Sequence, residues 1–509
     1  MNNSQRVLVN TLAQYIRVFI SMFLSLYTIR IVLKALGADD FGIYSLVAGV
    51  VSMLAFVTNA LVQTTQRFVS YYQGQGNVQK IKEVFCTSLI IHIVLGLVVV
   101  MLLEVLTPFI FDGLLFISPD RINAASTVYQ TVVGMLFITF ITSPFRALLV
   151  SHENIVYISI IDIFDVVLKL LFAILLVYVP MDKLVFYGIT MLLVQAFNLV
   201  ALSLYCARHY VECVFPRKSM LHVSYVKDLV TFAGWNIYST ACIVGRQQGV
   251  AIVVNRILGT VANAAYGIGF QLAGYTNFLS ASLVNAVRPQ IMKAEGAGDR
   301  QKALWLSNVI SKFSFFLLSA ICVPCIFEMD AILKIWLGSA PDGANIFCIM
   351  VLTTIVVDAV TGGLGHINQA VGNIKWYSIL MNTPKLISIP IMWIILKYNG
   401  SLPLAAASFV VVEALCTWIR VPFVSKTTGL SITLFIKEVV YKEIGPFLIL
   451  LASCFLCVHF ILIPFRFLLT FIIAVVAYFI SIWFLGLTNQ EKNILSAIIL
   501  TIVNKFKSK

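Results

Sequence analysis

Thirteen ionisable side chains stand inside long apolar stretches, where hydrocarbon leaves a charge unsolvated. In the first half of the chain these are Arg17, Arg30, His92, Glu104, Asp162, Asp165 and Lys169; in the second they are Arg246, Lys312, Asp358, His366, Lys385 and Glu413. Asp162, Asp165 and Lys169 recur at i, i+3 and i+7, one face of a helix, and the Asp165–Lys169 spacing closes an ion pair. Such a pair is either self-neutralised structure or a proton or cation site, so Asp162, Asp165, Asp358 and Glu413 are the ion-coupling candidates. Arg17 and Arg246 have no carboxylate within helical reach. A guanidinium at that depth needs an anion, a water-filled space or a distant Asp or Glu. With Lys169, Lys312 and Lys385 these arginines form a candidate set for an anionic headgroup, although Lys312 and Lys385 can equally pair with Asp358 and Glu413. Gln14 continues the polar stripe of Arg17, and Gln247 adjoins Arg246. Asn59, Gln63 and Asn277 add hydrogen-bonding capacity in corresponding parts of the two halves, a capacity that also binds helices together. His92 and His366 are solitary on apolar helices and are expected to be packing residues.

The elements that carry these groups follow from composition. The 509 residues are 60% hydrophobic and 11% charged, against roughly 25% charged in a soluble domain. A chain this apolar cannot cover a water-facing surface, and its solvent must largely be lipid. A spanning helix needs about 20 apolar residues. Spans are expected near 10–33, 41–66, 84–107, 125–150, 155–179, 184–206, 229–253, 261–287, 304–327, 345–371, 374–396, 402–424, 444–464 and 466–486. The last two are separated at Ile463-Pro464-Phe465-Arg466. The first apolar run is too long for a signal h-region and is read as the first span.

Net charge is +13. Basic residues crowd the cytoplasmic loops of membrane proteins, which accounts for this excess without nucleic acid. With both termini inside, 22 of the 35 Lys and Arg fall in cytoplasmic segments, 7 outside and 6 within spans. Arg146, Arg288 and Arg420 are counted among the cytoplasmic ones, as are Arg217, Lys218, Lys505, Lys507 and Lys509.

A shift of 222 residues superposes Leu36-Gly37 on Leu258-Gly259 and Gly74-Gln75-Gly76-Asn77-Val78-Gln79-Lys80 on Gly296-Ala297-Gly298-Asp299-Arg300-Gln301-Lys302. Both copies of the polar motif follow the second span of their half. The halves therefore run in the same direction, as two parallel six-helix bundles facing a central cavity. The expected organisation is a first lobe over 1–206, a linker over 207–228, a second lobe over 229–424, a linker over 425–443, and two further helices with a basic tail over 444–509.

Several chemistries lack their residues. There is no Gly-x-x-x-x-Gly-Lys-Ser/Thr for a nucleotide, no His-Glu-x-x-His and no Gly-x-Ser-x-Gly. Cys322 and Cys325 lie at i, i+3, but no His or further Cys completes a metal set. No cofactor, metal or enzymatic activity is expected.

The opening Asn10-Thr11, followed by Leu36-Gly37-Ala38-Asp39-Asp40-Phe41-Gly42-Ile43-Tyr44 between the first two spans, resembles the polysaccharide flippases of bacterial surface-glycan synthesis. These belong to the multidrug/oligosaccharidyl-lipid/polysaccharide exporter superfamily. The sharp motif covers about thirty residues; the 6+6+2 topology covers the whole chain. The resemblance implies an all-α, MATE-like fold of about 14 transmembrane helices in the bacterial cytoplasmic membrane. It implies movement of an undecaprenyl-pyrophosphate-linked oligosaccharide from the inner to the outer leaflet by alternating access, driven by an H+ or Na+ gradient. Association with membrane lipid and with glycan polymerase machinery is expected on the same ground. A cation-coupled multidrug exporter of the same fold and a membrane-embedded glycan polymerase or ligase are the alternatives.

Overall fold

A computed structural model describes residues 3–493 and 496, apart from 53, 110, 112–117, 217–219, 399, 462, 464, 494 and 495. Arg217, Lys218, Pro464, Lys505, Lys507 and Lys509 lie outside the described residues.

The described chain is helical nearly throughout. The helices are α1 (Asn3–Ser52), α2 (Ala55–Gly74), α3 (Val78–Phe109), α4 (Ile122–Ser151), α5 (Ile155–Leu175) and α6 (Lys183–His209). They continue as α7 (Val223–Gly296), α8 (Arg300–Phe327), α9 (Met329–Leu337), α10 (Ala344–Ala359), α11 (Gly362–Val371) and α12 (Ile374–Asn382). The last are α13 (Ser388–Lys397), α14 (Leu402–Thr428), α15 (Ile432–Phe435), α16 (Tyr441–Phe460) and α17 (Arg466–Ser481). Among the described residues ten helical stretches are long and apolar enough to cross a membrane, and the bent pair α10–α11 makes eleven. The 74-residue α7 holds two of the expected spans, one on each side of Gly259. The expected span 41–66 is divided between the end of α1 and α2. α5 falls short on composition because Asp162, Asp165 and Lys169 share its 21 residues. Large apolar side chains such as Phe19, Phe164, Leu193, Phe455 and Phe479 are exposed, as lipid requires and water does not permit on this scale.

The backbone repeats with the sequence. α1 breaks at Gly37 (φ 83, ψ 172) and α7 at Gly259 (φ 87, ψ −176), a region open essentially to glycine alone. The polar motif is a helix stop and restart in both copies. Gly76 and Gly298 take positive φ, and the next side chain, Asn77 or Asp299, accepts a hydrogen bond from the backbone N–H of Lys80 or Lys302 at 3.0 Å. The copies diverge after that. α4 runs unbroken for 30 residues, whereas its counterpart is split into α10 and α11 with a 50° bend. α5 is regular, whereas its counterpart is interrupted at Pro384–Ile387 by a 3₁₀ turn.

Two compact units are present, Leu8–Ile237 and the described residues from Tyr238 onward together with 3–7. They are called the first and second lobes below. In the first, Tyr129, Phe140, Val128 and Leu136 of α4 form the centre of the core. The chain after α6 is fixed to this lobe by His152, which stacks on Tyr210 at 4.0 Å and lies 3.4 Å from the Glu212 carboxylate. The His152 ring holds that carboxyl below the usual range. In the second lobe, α16 and α17 join the core around α8 through Phe315–Phe447 (5.4 Å) and Phe316–Tyr478 (6.2 Å). The chain breaks between Phe460 and Arg466, as expected. Arg466 begins α17 and donates to both oxygens of buried Glu328 at 2.9 and 3.0 Å, with Thr470 adding a third bond at 2.8 Å.

Candidate functional site

In the first lobe the charged stripe of α5 meets two arginines from other helices. Asp162 accepts two hydrogen bonds from Arg146 of α4, at 3.1 and 2.7 Å, and one from Arg17 of α1. One turn on, Asp165 pairs with Lys169 at 2.7 Å and accepts from the Asn198 amide of α6 at 2.6 Å. Three cations thus face two carboxylates. The set is partly open: the Arg146 and Lys169 side chains are 37% and 36% exposed. Gln14 is buried one turn before Arg17, while Asn59 and Gln63 on α2 are exposed and half-buried.

The second lobe repeats the arithmetic with different helices. A cavity of about 340 Å³ is lined by Arg246, Asn277, Asp358, His366, Lys385 and Glu413 among others. Glu413 of α14 accepts from Arg246 of α7 at 2.6 Å on one oxygen and from Lys385 on the other. Lys385 is delivered by the 3₁₀ turn that Pro384 opens. The Arg246 guanidinium also lies 4.2 Å over the Phe409 ring, one turn before Glu413. Arg420 of α14 donates to Asp358 of α10 at 2.7 Å and to the Thr361 hydroxyl at 3.1 Å. Arg246, Lys385 and Glu413 are 9%, 8% and 2% exposed; the Asp358 carboxylate, at 42%, is the open member.

The sequence-predicted residues therefore divide. Arg17, Asp162, Asp165 and Lys169 come together in the first lobe, and Arg246, Lys385, Asp358, Glu413 and Asn277 in the second. Gln247 lies beside a separate groove around Gly259. Lys312 requires a correction: it stands with neither set. Its ammonium is buried on α8, donating to Glu491 at 2.7 Å and to the Glu438 carbonyl at 3.2 Å. A buried ammonium with its own carboxylate has no charge to spare for a ligand. Its partner carries a local signal, since Thr488-x-x-Glu491 is a capping box, with Thr488 N–H donating to Glu491 at 2.8 Å. Arg146 and Arg420 are a second correction. The count of basic residues assigns them to cytoplasmic segments although the expected spans 125–150 and 402–424 already contain them; both lie within helices, α4 and α14, and complete the two sets. Arg420 is seven residues from Glu413, on the same helical face, and that spacing is a usable signal; Arg146 offers none. Arg288 is likewise buried inside α7. His92 is buried with its Nδ1 2.7 Å from the Ser88 carbonyl, whereas His366 lines the second-lobe cavity.

Residues 15–175, within the first lobe, match the family model MatE. No curated protein matches the chain by sequence. Solved structures match over most of the chain. One, a MATE in the bent conformation, superposes with a TM-score of 0.73 at 12% identity, covering 86% of this chain and 99% of its own. Another, an outward-facing multidrug resistance MATE family transporter of the MOP superfamily, gives 0.68 at 12% identity over 86% and 97%. A third is a MOP superfamily transporter from Pyrococcus furiosus, described as having a binding pocket of reverse polarity that suggests a different function; it gives 0.70 at 13% identity over 86% and 97%. The chain is a multi-pass membrane protein with the MATE transporter fold, and its first lobe carries the MatE sequence pattern.

Proposed function

We propose that this chain is a secondary transporter that flips an undecaprenyl-pyrophosphate-linked oligosaccharide from the inner to the outer leaflet of the bacterial cytoplasmic membrane. The observation that carries the reading is the cationic surplus among the apolar helices. In each lobe three basic side chains share two carboxylates, and in the first lobe the basic groups are accessible. A pyrophosphate cannot enter hydrocarbon unaided, and guanidinium groups recognise phosphate oxygens two at a time. Arg17 and Arg146, already gathered on Asp162, are the pair to which a diphosphate is offered, with Lys169 beside them. The reverse pocket polarity of the P. furiosus transporter supports treating pocket charge as what separates functions on this fold. Both termini are assigned to the cytoplasm, on the excess of Lys and Arg there; this excess survives moving Arg146, Arg288 and Arg420 into helices.

Transport is assigned to alternating access driven by H+ or Na+. Asp358 is the leading coupling group because its carboxylate opens into a cavity while a single arginine holds it. The second reading, a cation-coupled multidrug exporter, draws on that same open carboxylate and on the multidrug transporter of shared fold. Substitutions Arg17→Ala and Arg146→Ala decide between them. The flippase reading expects each to abolish surface glycan while the protein stays in the membrane. Normal glycan with lost resistance to cationic dyes establishes the exporter.

A further inference from the structure

Gly259 folds the two halves of α7 back on each other, and the groove they enclose carries five neutral amides together with one cation, Arg256, at the end next to Asn255. Gln248 and Asn255 stand on the first half; Asn263 and Gln271 stand on the second, with Gln247 at the rim. The spacing is regular: 248 and 255 are two turns apart on one side of the break, and 263 and 271 on the other. Adjoining cavities of about 390 and 470 Å³ lie along this line. Tyr266 closes the floor, its hydroxyl donating to the Gln247 carbonyl at 3.0 Å. None of the five carboxamides has a hydrogen-bond partner among the described residues, and the Asn263 Oδ1 is shielded as well as unpaired.

Such a row is costly against hydrocarbon, where each unpaired amide loses its hydration. Polar residues that bind helices together would be bonded across the pair, and these are not. The internal repeat supplies a control. Displaced by 222 residues, Tyr266 falls on Tyr44 and Leu258-Gly259 on Leu36-Gly37, so the fold keeps the hairpin and its tyrosine. The amides Gln248, Asn255, Asn263 and Gln271 fall instead on Leu26, Leu33, Phe41 and Gly49. The hairpin is thus built in the first lobe without amides, and their presence in the second is a property of what the groove holds.

We infer that the α7 groove is a carbohydrate subsite, binding neutral sugar units of the transported molecule. Each carboxamide offers an acceptor oxygen and two donors, which matches hydroxyl groups that both donate and accept, and it has no charge to retain a phosphate. The subsite is separate from the charged cavity of the same lobe: the two share no lining residue. The inference rests on the flippase reading for the ligand's class and adds which residues meet its glycan.

The test compares two probes on the purified full-length protein: undecaprenyl pyrophosphate without sugar, and the undecaprenyl-pyrophosphate-linked oligosaccharide extracted from cells that make the glycan. Wild type is expected to bind the sugar-bearing lipid at least about tenfold more tightly than the bare one. Combining Gln248→Leu, Asn263→Leu and Gln271→Leu is expected to bring that ratio to about one with binding of the bare lipid unchanged. The exposed single substitutions Gln248→Ala and Gln271→Ala, which disturb no packing, should each lower it several-fold. A ratio unaltered in the single and combined variants, or a wild-type ratio of one, overturns the subsite and leaves the flippase reading standing. Binding of neither lipid by wild type overturns that reading, and the subsite with it.

Discussion

Each lobe gathers one set of three cations and two carboxylates among apolar helices, but the first lobe keeps its set partly accessible and the second buries most of its own. In the first, Asp162 gathers Arg17 and Arg146 at a partly open position. In the second, Glu413 gathers Arg246 and Lys385 almost out of contact with solvent, and only Asp358 is left open. The charge count is the same, but the carboxylates have moved. α5 carries both in the first lobe, whereas α10 and α14 carry them in the second and the α5 counterpart brings Lys385 on a 3₁₀ turn. Equal charge with unequal burial separates two roles. A solvated set can exchange its internal carboxylate for a ligand's phosphate at little cost. A buried set cannot, because stripping Glu413 from two cations leaves them uncompensated in a low dielectric.

Four pairs of substitutions test that comparison, the largest expected effect first. Glu413→Gln should destabilise the protein by about 3–5 kcal/mol, read as the loss of thermal stability in detergent, whereas Asp162→Asn should cost about 1 kcal/mol. Equal losses would erase the distinction between the lobes. Lys312→Met should cost about 3 kcal/mol alone, since it orphans Glu491, and close to nothing when combined with Glu491→Leu. The double variant should transport normally; a transport defect in it would return Lys312 to the ligand site. Arg146→Ala should weaken binding of the pyrophosphate headgroup by about tenfold, with Lys169→Ala weaker in effect because Lys169 already has Asp165. The binding should fall as salt rises, and salt-independent binding would argue against an accessible ionic site. Smallest, Gly37→Ala and Gly259→Ala should each cost about 1–2 kcal/mol by forcing a side chain into positive φ, and a similar loss at both positions would confirm that the two breaks are equivalent.

Much of the architecture is legible in the residues because it is written locally. Apolar runs mark the spans, and the glycines and the Asn77/Asp299 caps mark the repeat. The Asp162–Asp165–Lys169 face follows from helical spacing alone. What is not legible depends on which helices become neighbours. Arg17 finds Asp162 145 residues away, Arg246 finds Glu413 at 167, and Lys312 finds Glu491 at 179. No periodicity carries such pairings. Arg146 and Arg420 escape sequence reasoning for a related cause. Both sit near the inner ends of the expected spans 125–150 and 402–424, where a basic residue counts as a cytoplasmic one, whereas a bundle can turn such a residue inward when another helix brings the opposite charge.

The account turns on the polarity of the cargo, and reconstituted vesicles measure that most directly. Wild-type protein should move the lipid-linked oligosaccharide between leaflets under an ion gradient, Arg17→Ala and Arg146→Ala should abolish that movement, and ethidium should not be transported. Gradient-driven ethidium transport without movement of the lipid-linked sugar would contradict it.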